Sequence, residues 1–333
     1  MKYFYDVTKE ASAEDYINSL KNDSLVIYSP MSLKNIHLNN INVHMIDSRI
    51  FGRNIIFVKA LSENKKTYKN IVSLGGGTAT DIAKYISKKT GSKFICIPSM
   101  LSTNAYSTDK VALVVGNNKI TLDAKLADHI ILDTNLIRKA EKQNLYGLAD
   151  IFSIYIALAD WELANNDINE MINDEIFLRS KKLLDDTVAF VVSTDRKVIS
   201  NDIMKLFKNI GEAGYITNIY GTGRPESGSE HIFAKDLENR IEVPHGVSVS
   251  IGIILMSIAQ NRYSEDIFKC LDKIGTLKMI DELKISRKLL TDTLVNLIPR
   301  CDRYSIINRL NMDDAYVDNL LNQFSIKTGI ELK

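Results

Sequence analysis

Two sets of residues in this 333-residue chain could do chemistry. One is the turn Gly75-Gly76-Gly77, which follows the apolar run Ile71-Val72-Ser73-Leu74 and precedes the helical spacing of Ile82, Ala83 and Ile86. Ile71, Val72 and Leu74 read as the end of a buried strand. Glycines at that point break both regular patterns and permit positive φ. A strand that turns on glycines into a helix N-terminus presents outward-pointing N–H groups and roughly half a positive charge, which together make a phosphate cradle. The pattern is neither G-x-G-x-x-G nor a P-loop, since no Gly-Lys-Ser/Thr follows it.

The other set is one carboxylate and two imidazoles. His231 stands in Ser227-Gly228-Ser229-Glu230-His231, His245 stands in Pro244-His245-Gly246, and Asp150 lies at the head of an apolar helix expected from Ile151 to Ala164. A lone histidine is more often a core or surface residue than a ligand. An acid in a first helical turn commonly just complements the dipole. Taken together, the three would leave open positions on a divalent metal, as catalytic metals require. Their spacings are long, and spacing alone does not bring them together.

The elements that must position these groups fall into two classes. Leu25 to Tyr28, Val43 to Ile46, Ile55 to Val58, the glycine strand, Phe94 to Ile97 and His129 to Asp133 read as strands, and residues 8–20 as a polar, helical opening. A helix is predicted from Thr80 to about Lys89, stopped by Gly91. Val111 to Val115 and Ile120 to Leu122 read as a hairpin around Gly116-Asn117-Asn118. Strands alternating with helices argue a doubly wound, Rossmann-like parallel α/β domain over residues 1–140. Ligands of such sheets bind beyond the C-terminal strand ends, where the glycine turn and the loop from Pro98 to Thr108 fall. Beyond Asn135 the strand-like runs give way to long helical patterns, which predicts an all-α second domain over residues 141–333.

Composition removes several classes. Lys+Arg 42 against Asp+Glu 41 gives a net charge of +1, and no basic run with interleaved aromatics appears, so nucleic acid is not an expected partner. No apolar run approaches the roughly 18 residues of a membrane span, and the N-terminus is not a signal peptide. Cys96, Cys270 and Cys301 are far apart, so neither a disulfide framework nor a thiolate metal site is expected, and Cys96 reads as a buried thiol. A soluble, cytoplasmic enzyme fits, with a small-molecule substrate and a homo-oligomeric state, dimer or larger.

Four motifs in order carry a resemblance across most of the chain: GGGTATDIAK (75–84), PSMLSTNAYS (98–107), GLADIFSIYIALADWELA (147–164) and SGSEHIFAKDLE through VPHG (227–246). With them the chain resembles the iron-containing alcohol dehydrogenase, glycerol dehydrogenase and 3-dehydroquinate synthase superfamily, and looks most like its sn-glycerol-1-phosphate dehydrogenase branch. The resemblance implies NAD or NADP on the first domain, with the pyrophosphate on Gly75, Gly76 and Gly77, Asp81 of the same motif beside it, and Ser99, Ser102 and Ser107 toward the nicotinamide. It implies one divalent metal, Zn, Ni or Fe, held by Asp150, His231 and His245. The implied chemistry is hydride transfer between nicotinamide and a secondary alcohol of a polyol or polyol phosphate, with the metal polarising the alcohol or ketone oxygen.

Two departures fall on residues that face substrate in relatives. Asn104 stands where an Asp is usual, and Lys235 where the branch usually has a histidine. Ala149 also replaces a glycine before Asp150. The substitutions remove a negative charge and add a positive one, which favours an anionic substrate. Dehydroquinate-synthase-like cyclases resemble a Glu-His-His metal set and a Gly-Gly-Lys stretch after the proline loop. Asp150 and Ser107-Thr108-Asp109-Lys110 differ from both and favour the dehydrogenase. A non-catalytic nucleotide-binding relative is the remaining alternative, kept open by Asn104.

Overall fold

The computed structural model describes residues 3–39, 43–63, 67–116, 118–299 and 303–333. The chain clusters into two compact units, Met1–Asn144 with Asn201–Tyr215, and Leu145–Ser200 with Ile216–Lys333. The sequence-based division was a single cut at 140, whereas the segment Asn201–Tyr215 clusters with the first unit.

The first unit carries strands β1 (Thr8–Glu10), β2 (Ser24–Tyr28), β3 (His44–Asp47), β4 (Asn70–Gly75), β5 (Lys93–Pro98), β6 (Lys110–Val115), β7 (Asn118–Asp123) and β8 (His129–Leu132). Six of them form one sheet in the order β1-β8-β5-β4-β2-β3. Every pairing in it is parallel. Among them run helices α1 (Ala13–Asn18), α2 (Pro30–Leu33), α3 (Ser48–Phe51), α4 (Ile55–Ser62), α5 (Gly77–Thr90) and α6 (Thr134–Arg138). Because side chains alternate across a strand, Val72 and Leu74 of β4 and Ile95 and Ile97 of β5 share one face, which packs on Ala13 and Ile17 of α1. From β2 the chain moves outward to β3, and from β4 it moves the other way to β5. The glycine turn after β4 therefore sits where the strand order reverses, the place at which doubly wound sheets take ligands. The antiparallel hairpin β6-β7 stands apart as its own two-stranded sheet.

The structure corrects three expectations. Ile55 to Val58 is the start of helix α4, because Asn54 caps it by accepting the Ile56 N–H on its side chain. Its apolar residues do not alternate between two buried faces: Val58 is buried, while Ile56 and Phe57 are 69% and 51% exposed. The opening read as helical begins with the short edge strand β1 before α1. The apolar run behind Asp150 is two helices, since Ser153 interrupts it. Cys96 is buried as expected, and Cys301 lies outside the described residues.

Helix α7 (Glu141–Tyr146) leads to α8 (Ala149–Phe152), α9 (Ile154–Ile168), α10 (Asp174–Ser193), α11 (Arg196–Asn201), α12 (Ile203–Tyr220), α13 (Ser229–Arg240), α14 (His245–Ala259), α15 (Glu265–Ile274), α16 (Thr276–Glu282), α17 (Arg287–Val295) and α18 (Asp314–Thr328). No strand occurs among the described residues of the second unit. No helix among the described residues is long and apolar enough to cross a membrane.

Candidate metal centre and dinucleotide turn

In the second unit the structure brings Asp150, His231 and His245 together, with one potential ligand atom from each within 4.8 Å of the others. Asp150 Oδ1 lies 3.3 Å from His245 Nε2 and 3.8 Å from His231 Nε2. It is buried and accepts no hydrogen bond. An orphaned buried carboxylate oxygen is costly unless something cationic meets it.

Both imidazoles are oriented from behind. His231 Nδ1 lies 2.7 Å from Glu230 Oε1, and His245 Nδ1 lies 2.7 Å from Glu238 Oε1. A carboxylate there makes Nδ1 the protonated nitrogen of the neutral ring, so that each ring, once its Nε2 carries no proton, aims a lone pair toward Asp150 as a metal ligand does. Glu238 also accepts the Ser248 hydroxyl at 2.6 Å, and Glu230 accepts the Gly228 N–H at 2.7 Å. Burial pulls the His245 imidazolium down, yet the Glu238 and Asp150 carboxylates outweigh it and raise the group to about 10. The donor set of one carboxylate and two imidazoles, with a fixed tautomer on each ring, fits a divalent ion with positions left open.

Backbone geometry explains the convergence. Ser153 donates its hydroxyl to the Asp150 and Glu226 carbonyls, fixing the end of α8 to the loop before α13. A Cβ on Gly252 of α14 would lie 2.5 Å from the Glu230 carbonyl oxygen, so a glycine is what lets α13 and α14 approach. Behind Glu230, buried Asp160 accepts the Ser229 N–H at 2.6 Å and the Ile306 N–H at 2.8 Å. Burial and the Glu230 carboxylate push Asp160 up to about 6. Glu230, Glu238 and Asp160 were missed in the sequence. The first two lie inside the SEHIFAKDLE stretch, and the signal that finds them is a carboxylate within one or two helical turns of a candidate ligand. Lys235 is half-buried on α13, four residues beyond His231 and so on the same side of the helix.

In the first unit Gly75 closes β4, Gly76 is the N-cap of α5, and Gly77 opens that helix. None of the three uses the positive φ that glycine permits. Close approach is the reason for them. A Cβ on Gly75 would lie 2.9 Å from Ala79 Cβ and 3.1 Å from Ser29 Cβ, and one on Gly76 would lie 3.1 Å from Met100 Sδ. No side chain caps α5 and no acid stands in its first turn, so its N–H groups stay available to an anion.

The other sequence candidates of this unit have varied surroundings. Ser99 is buried, with its hydroxyl 2.6 Å from the Ser32 hydroxyl, and its N–H donates to the Gly75 carbonyl. Ser102 is half-buried near Gly76. Ser107 is buried and donates its hydroxyl to the Asn104 carbonyl at 2.9 Å. Asp81 is buried and accepts the Ala112 N–H of β6 at 3.3 Å, and burial raises its pKa against the opposing charges of Arg53 and Lys84. Lys84, fully buried, donates to the carbonyls of Ala105, Thr108 and Lys110 at 2.7, 2.8 and 2.9 Å, and burial lowers its pKa. It thereby ties the loop after β5 to helix α5.

Comparison with known proteins agrees with this architecture. The model of the iron-containing alcohol dehydrogenase family matches residues 13–140. The NAD(P)+-linked glycerol-1-phosphate dehydrogenase of Methanococcus aeolicus is 31% identical over 265 residues, covering 75% of this chain and 76% of that protein. The enzyme of the same name from Pyrococcus furiosus is 26% identical over 310 residues, 87% of each chain. Among solved structures, a probable glycerol dehydrogenase from Sinorhizobium meliloti shares the fold, with a TM-score of 0.65 over 97% of this chain and 96% of that one, at 14% identity. The chain belongs to the iron-containing alcohol dehydrogenase family, within its group of glycerol-1-phosphate dehydrogenases.

Proposed function

We propose that this protein is a metal- and NAD(P)-dependent dehydrogenase that transfers a hydride between nicotinamide and a small polyol phosphate of the glycerol-1-phosphate and dihydroxyacetone phosphate kind. The observation that carries the reading is Asp150 Oδ1, buried and without a hydrogen bond, facing two imidazole Nε2 atoms whose Nδ1 partners are carboxylates. Asp150, His231 and His245 would hold Zn, Ni or Fe. Once bound, the ion would supply Lewis acidity toward the reacting oxygen and the dinucleotide would carry the hydride.

The remaining work falls to the chain's own residues. The uncapped first turn of α5 would receive the pyrophosphate, with Gly75 to Gly77 keeping Cβ atoms out of its way. Glu230 and Glu238 hold each ligand ring in one tautomer. Lys235, on the same side of α13 as His231, would add a cationic charge on the metal side and favour an anionic substrate. Asn104 leaves its position uncharged. A homo-oligomeric state and a cytoplasmic location belong to the same reading.

The test is metal analysis followed by assay of the Zn-, Ni- and Fe-loaded protein with NAD and NADP on glycerol-1-phosphate, dihydroxyacetone phosphate and glycerol. Net oxidation or reduction of the cofactor with the phosphorylated pair, and much less with glycerol, is the expected result. Phosphate release without net NADH would turn the reading toward the cyclases. Cofactor binding with no turnover of any kind would turn it toward a non-catalytic relative.

A further inference from the structure

Arg53 lies between α3 and α4 and belongs to none of the four motifs. Its backbone carbonyl accepts the Val114 N–H of β6 at 2.7 Å, and Asn54 bridges to Val114 as well. Its side chain reaches α5, where Nε donates to Thr78 Oγ1 at 3.1 Å. Nη2 lies 3.5 Å from the point a Gly77 Cβ would occupy, and Thr103 Oγ1 lies 3.3 Å from the same point. The residue is thus anchored at its backbone carbonyl and at Nε, which places the guanidinium over the first turn of the 14-residue helix α5. Among the described residues the bond to Thr78 is the guanidinium's only hydrogen bond, and the buried Asp81 carboxylate, which its charge stabilises, forms no ion pair with it. The one nearby acid in the motif, Asp81, is engaged with the Ala112 N–H of the same hairpin.

We propose that Arg53 is a phosphoryl-binding residue of the dinucleotide site, a proposal that rests on the cofactor reading of the glycine turn. A guanidinium pinned through Nε presents its two Nη groups as a planar fork, which matches two phosphoryl oxygens. The uncapped N–H groups of α5 supply the other side of the same anion site. The hairpin β6-β7 acquires a role: Asp81 holds it at Ala112, and it holds Arg53 at Val114. The ligand group is a phosphoryl, either the pyrophosphate common to both cofactors or the ribose 2′-phosphate of NADP.

Affinities of NADH and NADPH for the metal-loaded protein separate the cases. Arg53→Met weakens both about 10- to 100-fold if the pyrophosphate is the partner, and NADPH alone by that factor if the 2′-phosphate is. In the first case inorganic pyrophosphate also competes with NADH less well, and the NADH affinity becomes less sensitive to salt. Arg53→Lys keeps the charge without the fork and recovers part of the loss. Thr78→Val frees the guanidinium and costs a few-fold. If Arg53→Met loses the fold, as a drop in Tm would report, the Lys and Val variants carry the test. Unchanged affinity for both cofactors, within twofold, in folded Arg53→Met or in both milder variants overturns the proposal. A parent protein that binds neither cofactor refutes the cofactor reading itself and removes this proposal with it.

Discussion

Glu238 Oε1 lies 2.7 Å from His245 Nδ1 while accepting the Ser248 hydroxyl on the same oxygen. The carboxylate therefore sets both the tautomer and the plane of the ring. Removing it in Glu238→Ala leaves His245 in place but free to rotate. Metal affinity, measured by competition with a chromogenic chelator, falls about 10- to 100-fold, while Ser248→Ala costs less. Equal affinity in parent and Glu238→Ala would remove the orienting role.

The His245 imidazole has a normal value of 6.5 and is raised to about 10 in the metal-free protein, as Glu238 and Asp150 outweigh burial. A raised histidine stabilises the fold fully below the unfolded value near 6.5, and the contribution disappears as pH rises through about 10. The metal-free protein therefore loses Tm across that window, and His245→Gln flattens the slope. Since an incoming ion must displace the same proton, apparent metal affinity climbs by up to about tenfold per pH unit through the window. A pH-independent affinity would contradict this.

Gly75 and Gly76 respond differently to substitution. At Gly75 an added methyl meets Ala79 Cβ at 2.9 Å and Ser29 Cβ at 3.1 Å, both close to backbone. Gly75→Ala is expected to lower stability by about 1–3 kcal/mol, read by urea denaturation. At Gly76 the neighbour is the flexible end of Met100, which can yield. Gly76→Val is expected to keep the fold and abolish NAD(H) binding by bulk. Normal cofactor affinity in folded Gly76→Val would remove the phosphate site.

Lys235→Met addresses substrate charge. If the ammonium meets the substrate phosphate, KM for the phosphorylated polyol rises roughly tenfold or more, as loss of a charge-assisted bond worth about 1.5–3 kcal/mol requires. KM for unphosphorylated glycerol stays put. Equal effects on both would leave Lys235 a surface residue.

Much of the sheet was legible, because β2, β4, β5 and β8 are apolar runs bounded by glycine, proline or capping residues. Strand β1 was not, since Thr8, Lys9 and Glu10 form a polar edge strand recognisable only from its partner β8. Ile55 to Val58 misled because β-branched composition was weighed and the Asn54 cap was not. In the site, Asp150, His231 and His245 were legible as residue types. Their convergence depends on the contact of Gly252 with the Glu230 carbonyl, which no spacing encodes. Arg53 gave no signal at all, since strand pairing with Val114 is what carries it to α5.

Lys84 has a consequence for the order in which the first unit assembles. Its ammonium gathers three carbonyls from the segment after β5, and the loop bearing Ser99, Ser102, Asn104 and Ser107 cannot close until α5 has formed. Ligand loops usually open locally, at little free-energy cost. This one is riveted to a core helix, so its slowly exchanging amides should open together with β4 and β5. Deuterium exchange at the Ser99, Leu101 and Ser107 amides, each of which donates a hydrogen bond, is expected to match that of the sheet. In Lys84→Met the same amides should exchange fast while the sheet stays protected. The glycine turn and its loop then arise as one cooperative piece, present before any ligand arrives.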